Sequence, residues 1–312
     1  MFRIAAHQFG PPEQVLVYES AEEPLLLPGC VLVRMRASVI NPSDLIPVTG
    51  AYQHSTTLPF VPGYDGVGII VETCGNVDPM MVGRRVLPLG SAGNWQDWKV
   101  APADWCVPVP DDLTDEQAAM AYVNPLTARL MVKAIGAKPG DQVGITAAAS
   151  AIGRILIRLL AAAGALPVAI VRSHSSRAAL GSEPAADVVY EGARLPPLTA
   201  GLDAVGGLPG AHLAAAIRPG GLFLHYGLLS GRPLTSTLLA ATKTKVRLFR
   251  LRDWVHATSR STLQSVMAET FAHIRAGPAA SSIAGEYPLA EIARAIAHDT
   301  RGDRRGKIIL HL

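Results

Sequence analysis

A chain of 312 residues is longer than one compact core usually holds, so two domains are the starting expectation. With 49% hydrophobic and 17% charged residues it can fill large cores, which sets it apart from intrinsically disordered proteins. A net charge of +3, dispersed along the chain, argues against nucleic acid as a partner and mildly favours anionic ligands.

The first residues, MFRIAAHQFG, lack the charged start, apolar centre and small-residue cleavage site of an export signal, so a cytoplasmic protein is expected. From Met1 to about Ala103 short β-like runs, such as Val31 to Ala37 and Gly66 to Glu72, alternate with turns at Leu27-Pro28-Gly29 and Val61-Pro62-Gly63. Pro108 to Asp115 is polar and proline-rich, and Thr114 stands three residues before Gln117 as in a capping box; a domain boundary is expected here. Cys30, Cys74 and Cys106 are far apart in sequence and form no CxxC pair, so free thiols are expected.

From Gly140 the pattern becomes strand (Val143 to Ala147), helix (Ile152 to Ala163) and buried strand (Val168 to Val171), the opening of a parallel sheet. Arg158, Gly164 and Pro167 interrupt the most apolar stretch, so it cannot provide the roughly 20 apolar residues of a membrane helix. Further strands are expected at Val188 to Tyr190, Leu202 to Val205, Leu222 to Tyr226 and Val246 to Phe249. A helix is expected from Ser261 to Ala276, and a last strand from Lys307 to Leu312 that returns to the first domain.

The turn after the first strand of a dinucleotide fold must be built of small residues, so that backbone N–H groups can approach a pyrophosphate. Here it reads Thr146-Ala147-Ala148-Ala149-Ser150-Ala151-Ile152-Gly153, with only Gly153 left of a GxGxxG-like pattern and Ser150 offering a hydroxyl. By itself this also reads as an alanine-rich helix start. The second strand ends at Arg172-Ser173, without the acid that would bind a ribose 2′-hydroxyl. Arg172, Ser173, Ser175 or Ser176 and Arg177 suit a 2′-phosphate, favouring NADPH over NADH; the plainer reading is a solvated loop.

Six segments together resemble the medium-chain dehydrogenase/reductase superfamily over nearly the whole chain: Ile40-Asn41-Pro42-Ser43-Asp44, Gly50-Ala51-Tyr52, Val123-Asn124-Pro125-Leu126-Thr127-Ala128, Lys138-Pro139-Gly140-Asp141, Asp203-Ala204-Val205-Gly206-Gly207 and Phe249-Arg250-Leu251-Arg252-Asp253-Trp254. Within it the chain looks most like the 2-enoyl thioester reductases of mitochondrial fatty-acid synthesis, with quinone oxidoreductase-like relatives. The resemblance implies an α/β protein. A GroES-like, mostly β catalytic domain would span 1–110 and 262–312, and a doubly wound, parallel-sheet Rossmann domain binding NADPH would span 111–261.

Where zinc-dependent members hold catalytic zinc through Cys, His and Cys, this chain has Asn41, Tyr64 and Val123, and the four-cysteine lobe is absent; no metal is expected. The resemblance implies Tyr52 as proton donor, a role a phenol suits. It places Asn41 and Asp44 toward the nicotinamide, although Asx-type turn bonds explain both equally well. For the cofactor it implies Asn124 and Thr127, which also suit helix capping, then Ser150, Ala151, Ile152, Gly153, Arg172, Ser173, Arg177, Val205, Gly206, Tyr226, Gly227 and Lys307. For the substrate it implies Tyr64, Trp95, Trp254 and Arg250. Ala151 departs from the family, which usually has glycine there.

The basic run Lys243, Lys245, Arg247, Arg250 and Arg252 suits the phosphates of coenzyme A or a carrier-protein arm, or else a solvated strand edge. The strand 246–249 also suits the edge of a homodimer. Three functions stand open at this point: reduction of an α,β-unsaturated acyl thioester on a small-molecule or protein carrier, a quinone or enone reductase of free small molecules, and a non-catalytic binding protein on the same fold.

Overall fold

The structure, a computed structural model, describes residues 1–240, 242–301 and 305–312. It divides into two compact units, Met1–Val123 with Val255–Arg275 and Ser281–Leu312, and Asn124–Trp254 with Ala276–Ala280.

In the first unit the pair Phe2–Ala6 and Leu16–Ser20 is antiparallel. A larger sheet runs in the order Ile283–Pro288, Lys307–His311, Cys30–Val39, Gly66–Thr73, Arg85–Pro88, Cys106–Pro108, with Trp98–Pro102 also paired to Cys30–Val39. Alternation explains the long strand: Val31, Val33, Met35 and Ala37 are buried while Arg34 and Arg36 face solvent. One core cluster forms around Val31, Val33, Ile70 and Val86, another around Ile4, Ile40, Trp95, Ile292 and Ile308. The final strand lies parallel to Ile283–Pro288 and antiparallel to Cys30–Val39, so the tail is part of this unit.

The second unit is a parallel sheet ordered Asp187–Tyr190, Leu166–Val171, Gln142–Ile145, Leu198–Asp203, Ile217–His225, Lys245–Leu248. Numbered along the chain this is 3-2-1-4-5-6, the doubly wound dinucleotide-binding order. The inner strand Leu166–Val171 is apolar along its length because both faces are covered. The helix Ala151–Ala162 buries Ile155, Leu156, Leu159 and Leu160. All four residues of Lys245–Leu248 are exposed at the sheet edge.

The second unit begins later and ends earlier than the expected span of 111–261. Thr114 caps the helix Asp115–Ala119, its hydroxyl accepting from the Gln117 amide at 3.2 Å, and Arg85 fastens Asp115 to the first unit at 3.0 Å. At the other end, the Arg260 guanidinium lies 3.4 Å from the Trp105 ring centroid, which draws the helix Arg260–Arg275 to the first unit. Residues Ala276–Ala280 join the second unit because Arg158 donates to the carbonyls of Gly277 and Ala280 at 2.9 and 2.7 Å. No helix among the described residues is long and apolar enough to cross a membrane.

Candidate active site

In the second unit, most of the expected cofactor residues lie at the carboxyl ends of neighbouring strands, where open α/β sheets bind ligands. The first strand runs into Thr146, which is buried. Its hydroxyl donates to Asp203 Oδ1 at 2.7 Å and accepts from the Ala204 amide at 2.9 Å. Ala147 follows with φ of 48°, the one non-glycine residue with positive φ among those described. An L-residue there costs roughly 1–2 kcal/mol.

Ser150 caps the helix Ala151–Ala162, its Oγ accepting from Gly153 N at 3.1 Å. A Cβ at Gly153 would lie 2.5 Å from the Ala148 carbonyl oxygen, so glycine is what lets the helix start against the turn. Ala151 and Ile152 are its first helical residues, and the departure from glycine at Ala151 is accommodated by ordinary helical backbone.

Asp203 is fully buried and takes four bonds in all, adding Val205 N (3.1 Å) on Oδ1 with Gly206 N (3.0 Å) and His225 Nδ1 (2.8 Å) on Oδ2 to the Thr146 hydroxyl. These bonds shape the Val205-Gly206 loop, where Gly206 has φ of 73° and a Cβ would lie 2.7 Å from the Arg232 carbonyl oxygen. Gly227 abuts Ala204 just as closely. Tyr226 carries a buried hydroxyl without a partner among the described residues, and burial raises its pKa.

Past the second strand, Arg172 is exposed and Ser173 caps the helix His174–Leu180, its hydroxyl 2.9 and 3.0 Å from those of Ser175 and Ser176. Arg177, expected at the 2′-phosphate, is exposed. Its guanidinium donates to the Val188 carbonyl at 2.9 Å and lies 5.8 Å from the Tyr190 ring, which ties it to the neighbouring strand. Thr127 is buried and Asn124 half-buried on the helix Val123–Ile135. Trp254 is half-buried on Leu251–Ala257, and the exposed Arg250 pairs with Asp253 at 2.8 Å.

In the first unit, a buried polar cluster stands where Asn41, Asp44 and Tyr64 were expected to meet ligands. Asp44 Oδ2 accepts from Asn41 N at 2.7 Å and Oδ1 from Tyr64 N at 2.8 Å. Asp65 Oδ2 accepts from Asn41 Nδ2 at 2.8 Å and Oδ1 from Val123 N at 2.9 Å. Lys307 Nζ donates to Asn41 Oδ1 at 2.7 Å and to the Ile40 carbonyl. Burial pushes Asp44 up to about 7 and Asp65 up to about 6, against the pull of their N–H donors and of Lys307.

Three sets of expected site residues lie in the interior of this unit. Asn41 and Asp44 are 1% and 0% exposed, with both Asp44 oxygens and both ends of the Asn41 amide engaged by neighbours in this unit. Lys307, expected at the cofactor, is buried in this unit, where its ammonium compensates the two carboxylates. Trp95, expected at the substrate, is wholly buried among Ile4, Ile40 and Ile292, where a large apolar ring gains most. Asp65 is an organising residue that sequence reasoning passed over, and Asp203 is one that it quoted within a motif without a role. Each ends or precedes an apolar strand, and a charge at that place was the available signal.

Tyr52 occupies the turn after Gly50, 49% exposed, with the Ser55 amide bonded to its carbonyl at 2.9 Å. Tyr64 is half-buried. The positions matched to zinc ligands, Asn41, Tyr64 and Val123, are indeed brought together, around Asp44 and Asp65. An amide, a phenol and an apolar side chain do not make a zinc site, and all four oxygens of the two carboxylates already accept N–H bonds. Among the described residues, Glu116, Glu286 and His311 alone form a cluster of ligating side chains, from the helix Asp115–Ala119 and the strands Ile283–Pro288 and Lys307–His311, with His311 2.8 Å from Glu286.

Two family models match the chain, the alcohol dehydrogenase GroES-like domain over residues 27–111 and the zinc-binding dehydrogenase over 186–310. The mitochondrial enoyl-[acyl-carrier-protein] reductase of Mus musculus is 28% identical over 301 residues, covering 90% of this chain and 80% of the relative. A Bacillus thuringiensis structure named for NADPH:quinone reductase superposes with a TM-score of 0.94 at 32% identity, covering 100% of this chain and 98% of the other. A mycobacterial protein complexed with NADPH gives 0.89 at 25% identity, with both chains fully covered. A mixed-sheet unit joined to a 3-2-1-4-5-6 parallel sheet is the architecture of two-domain dehydrogenases and reductases, and the chain belongs to the medium-chain dehydrogenase/reductase superfamily.

Proposed function

We propose that this protein is an NADPH-dependent reductase of a conjugated C=C bond, acting on a 2-enoyl thioester carried by coenzyme A or a carrier protein. The observation that carries this reading is the side-chain set at Asn41, Tyr64 and Val123. It supplies no Lewis acid to polarise an isolated carbonyl, whereas a conjugated C=C needs only hydride and a proton. The likeness to mitochondrial enoyl reductases, over 90% of this chain and 80% of the Mus musculus relative, supports the thioester as the substrate class.

The second unit suits NADPH. The Tyr226 hydroxyl, without a partner among the described residues, and the turn that Gly153 keeps open fit a polar ligand, as does the exposed Arg172 next to the hydroxyls of Ser173, Ser175 and Ser176. Ser150, Ala151, Ile152, Gly153, Val205, Gly206, Tyr226 and Gly227 would hold the dinucleotide, Arg172 and Ser173 its 2′-phosphate, and Asn124 and Thr127 its nicotinamide ribose. When bound, NADPH supplies the hydride to the β-carbon. Tyr52 gives its phenolic proton to the α-carbon, and its exposure leaves it open to a substrate and to reprotonation from water.

A second reading, reduction of free quinones or enones, draws on the Bacillus thuringiensis likeness. One assay separates the two: NADPH oxidation with crotonyl-CoA, a simple quinone and an enone, with Tyr52→Phe alongside. We expect thioester turnover that falls roughly 100-fold in the variant while NADPH binding is unchanged. Quinone turnover indifferent to Tyr52 would select the second reading, and failure to bind any nicotinamide would end both.

A further inference from the structure

The pyrophosphate turn of this chain has lost the glycines that usually give such a turn its freedom, yet one residue still takes the left-handed conformation, and it is Ala147. The residues on either side show what holds it there. Thr146 N donates to the Leu202 carbonyl at 3.0 Å, and the Thr146 hydroxyl is bonded both to Asp203 Oδ1 and to the Ala204 amide. On the far side, the Ala147 carbonyl accepts from Ser150 N at 2.9 Å, and Ala148 N donates to the Ile170 carbonyl at 3.2 Å. The Ala147 carbonyl also rests over Gly153, 2.7 Å from where a Cβ would stand.

From this geometry we infer that Thr146 and Asp203 are positioning residues for the dinucleotide, and that their buried bond holds Ala147 left-handed so that the turn presents its amides to the phosphates. The inference rests on the NADPH reading and deepens it. Asp203 links the two halves of the site, because the carboxylate that fixes Thr146 also fixes the amides of Val205 and Gly206. An alanine turn can then do what glycine does elsewhere, since the conformational choice is made by a buried acceptor and not by the absence of a Cβ.

The test is a cycle of Thr146→Val and Ala147→Gly, with Thr146→Ser as the conservative control, read by NADPH titration and by thermal unfolding of the cofactor-free protein. Thr146→Val should weaken NADPH binding at least tenfold and lower the unfolding midpoint, while Thr146→Ser keeps both near the unsubstituted values. Ala147→Gly, which needs no clamp to turn left-handed, should change affinity less than threefold alone and restore most of the lost affinity in the double variant. A purely structural role for Thr146 would move the midpoint without that rescue. Wild-type affinity in a folded Thr146→Val, or no rescue by Ala147→Gly, overturns the positioning role alone. Absence of NADPH binding by the unsubstituted protein overturns the cofactor reading, and this role with it.

Discussion

Lys307 donates to the side-chain oxygen of Asn41 across 2.7 Å, although 266 residues separate the two along the chain. The bond fastens the final strand to the segment that follows Cys30–Val39 and sets the one buried ammonium of the cluster beside Asp44 and Asp65. Lys307→Met would leave two acceptors bare and two buried carboxyls without their cation. We expect a loss of about 3 kcal/mol in unfolding free energy, read from urea denaturation; a loss below about 1 kcal/mol would show that the ammonium is dispensable.

The same cluster gives a pH dependence of defined sign. Asp44 and Asp65 are raised by burial from 3.8 to about 7 and about 6, so each binds its proton more tightly in the folded chain than in the unfolded one. Their contribution to stability is fully present below about pH 4 and is lost as the pH rises through 6 to 7, by at most about 1.4 kcal/mol per unit and group. Unfolding free energy of the unsubstituted protein should therefore fall relative to Asp44→Asn between pH 4 and pH 7. A constant difference across that interval would contradict the assignment.

Arg172 and Arg177 should separate in a cofactor titration. Arg172 is exposed at the end of the second strand, whereas Arg177 is tied to the Val188 carbonyl. One charge-assisted contact to a 2′-phosphate is worth roughly 1.5–3 kcal/mol, or tenfold or more in affinity. Arg172→Ala should weaken NADPH by about that factor and leave NADH unchanged, while Arg177→Ala does little. Equal losses for both nucleotides would remove the 2′-phosphate from the account.

The strand Lys245–Leu248 offers Val246 and Leu248, 47% and 62% exposed, on an open edge of the second unit's sheet. Such an edge is a template for pairing with another copy, and we propose a homodimer through it. Light scattering should give twice the chain mass for the unsubstituted protein and the chain mass for Val246→Lys with Leu248→Lys. A monomer at the outset would end the proposal.

Much of the architecture was legible because it depends on local pattern. A β-like run between turns marked Val31 to Ala37 within the strand Cys30–Val39, apolar runs marked the inner parallel strands, and the Thr114 to Gln117 spacing marked a helix start that the structure shows with both partners in place. The unit boundaries were less legible. They turn on where Asp115, Arg260 and Arg158 find partners, and those partners are distant in sequence.

By itself the sequence determined the two kinds of domain, the small-residue turn before Gly153, the absence of an acid after Val171 and the lack of Cys or His at positions 41, 64 and 123. These are matters of residue identity and spacing. Only the tertiary structure decided that Lys307 and Trp95 are interior, that Asn41 and Asp44 form a frame, and that Arg177 is already engaged. The reason is desolvation: whether a polar side chain meets a ligand or a neighbour depends on which donors and acceptors folding buries beside it, and those of Asn41 come from residues 44, 65 and 307.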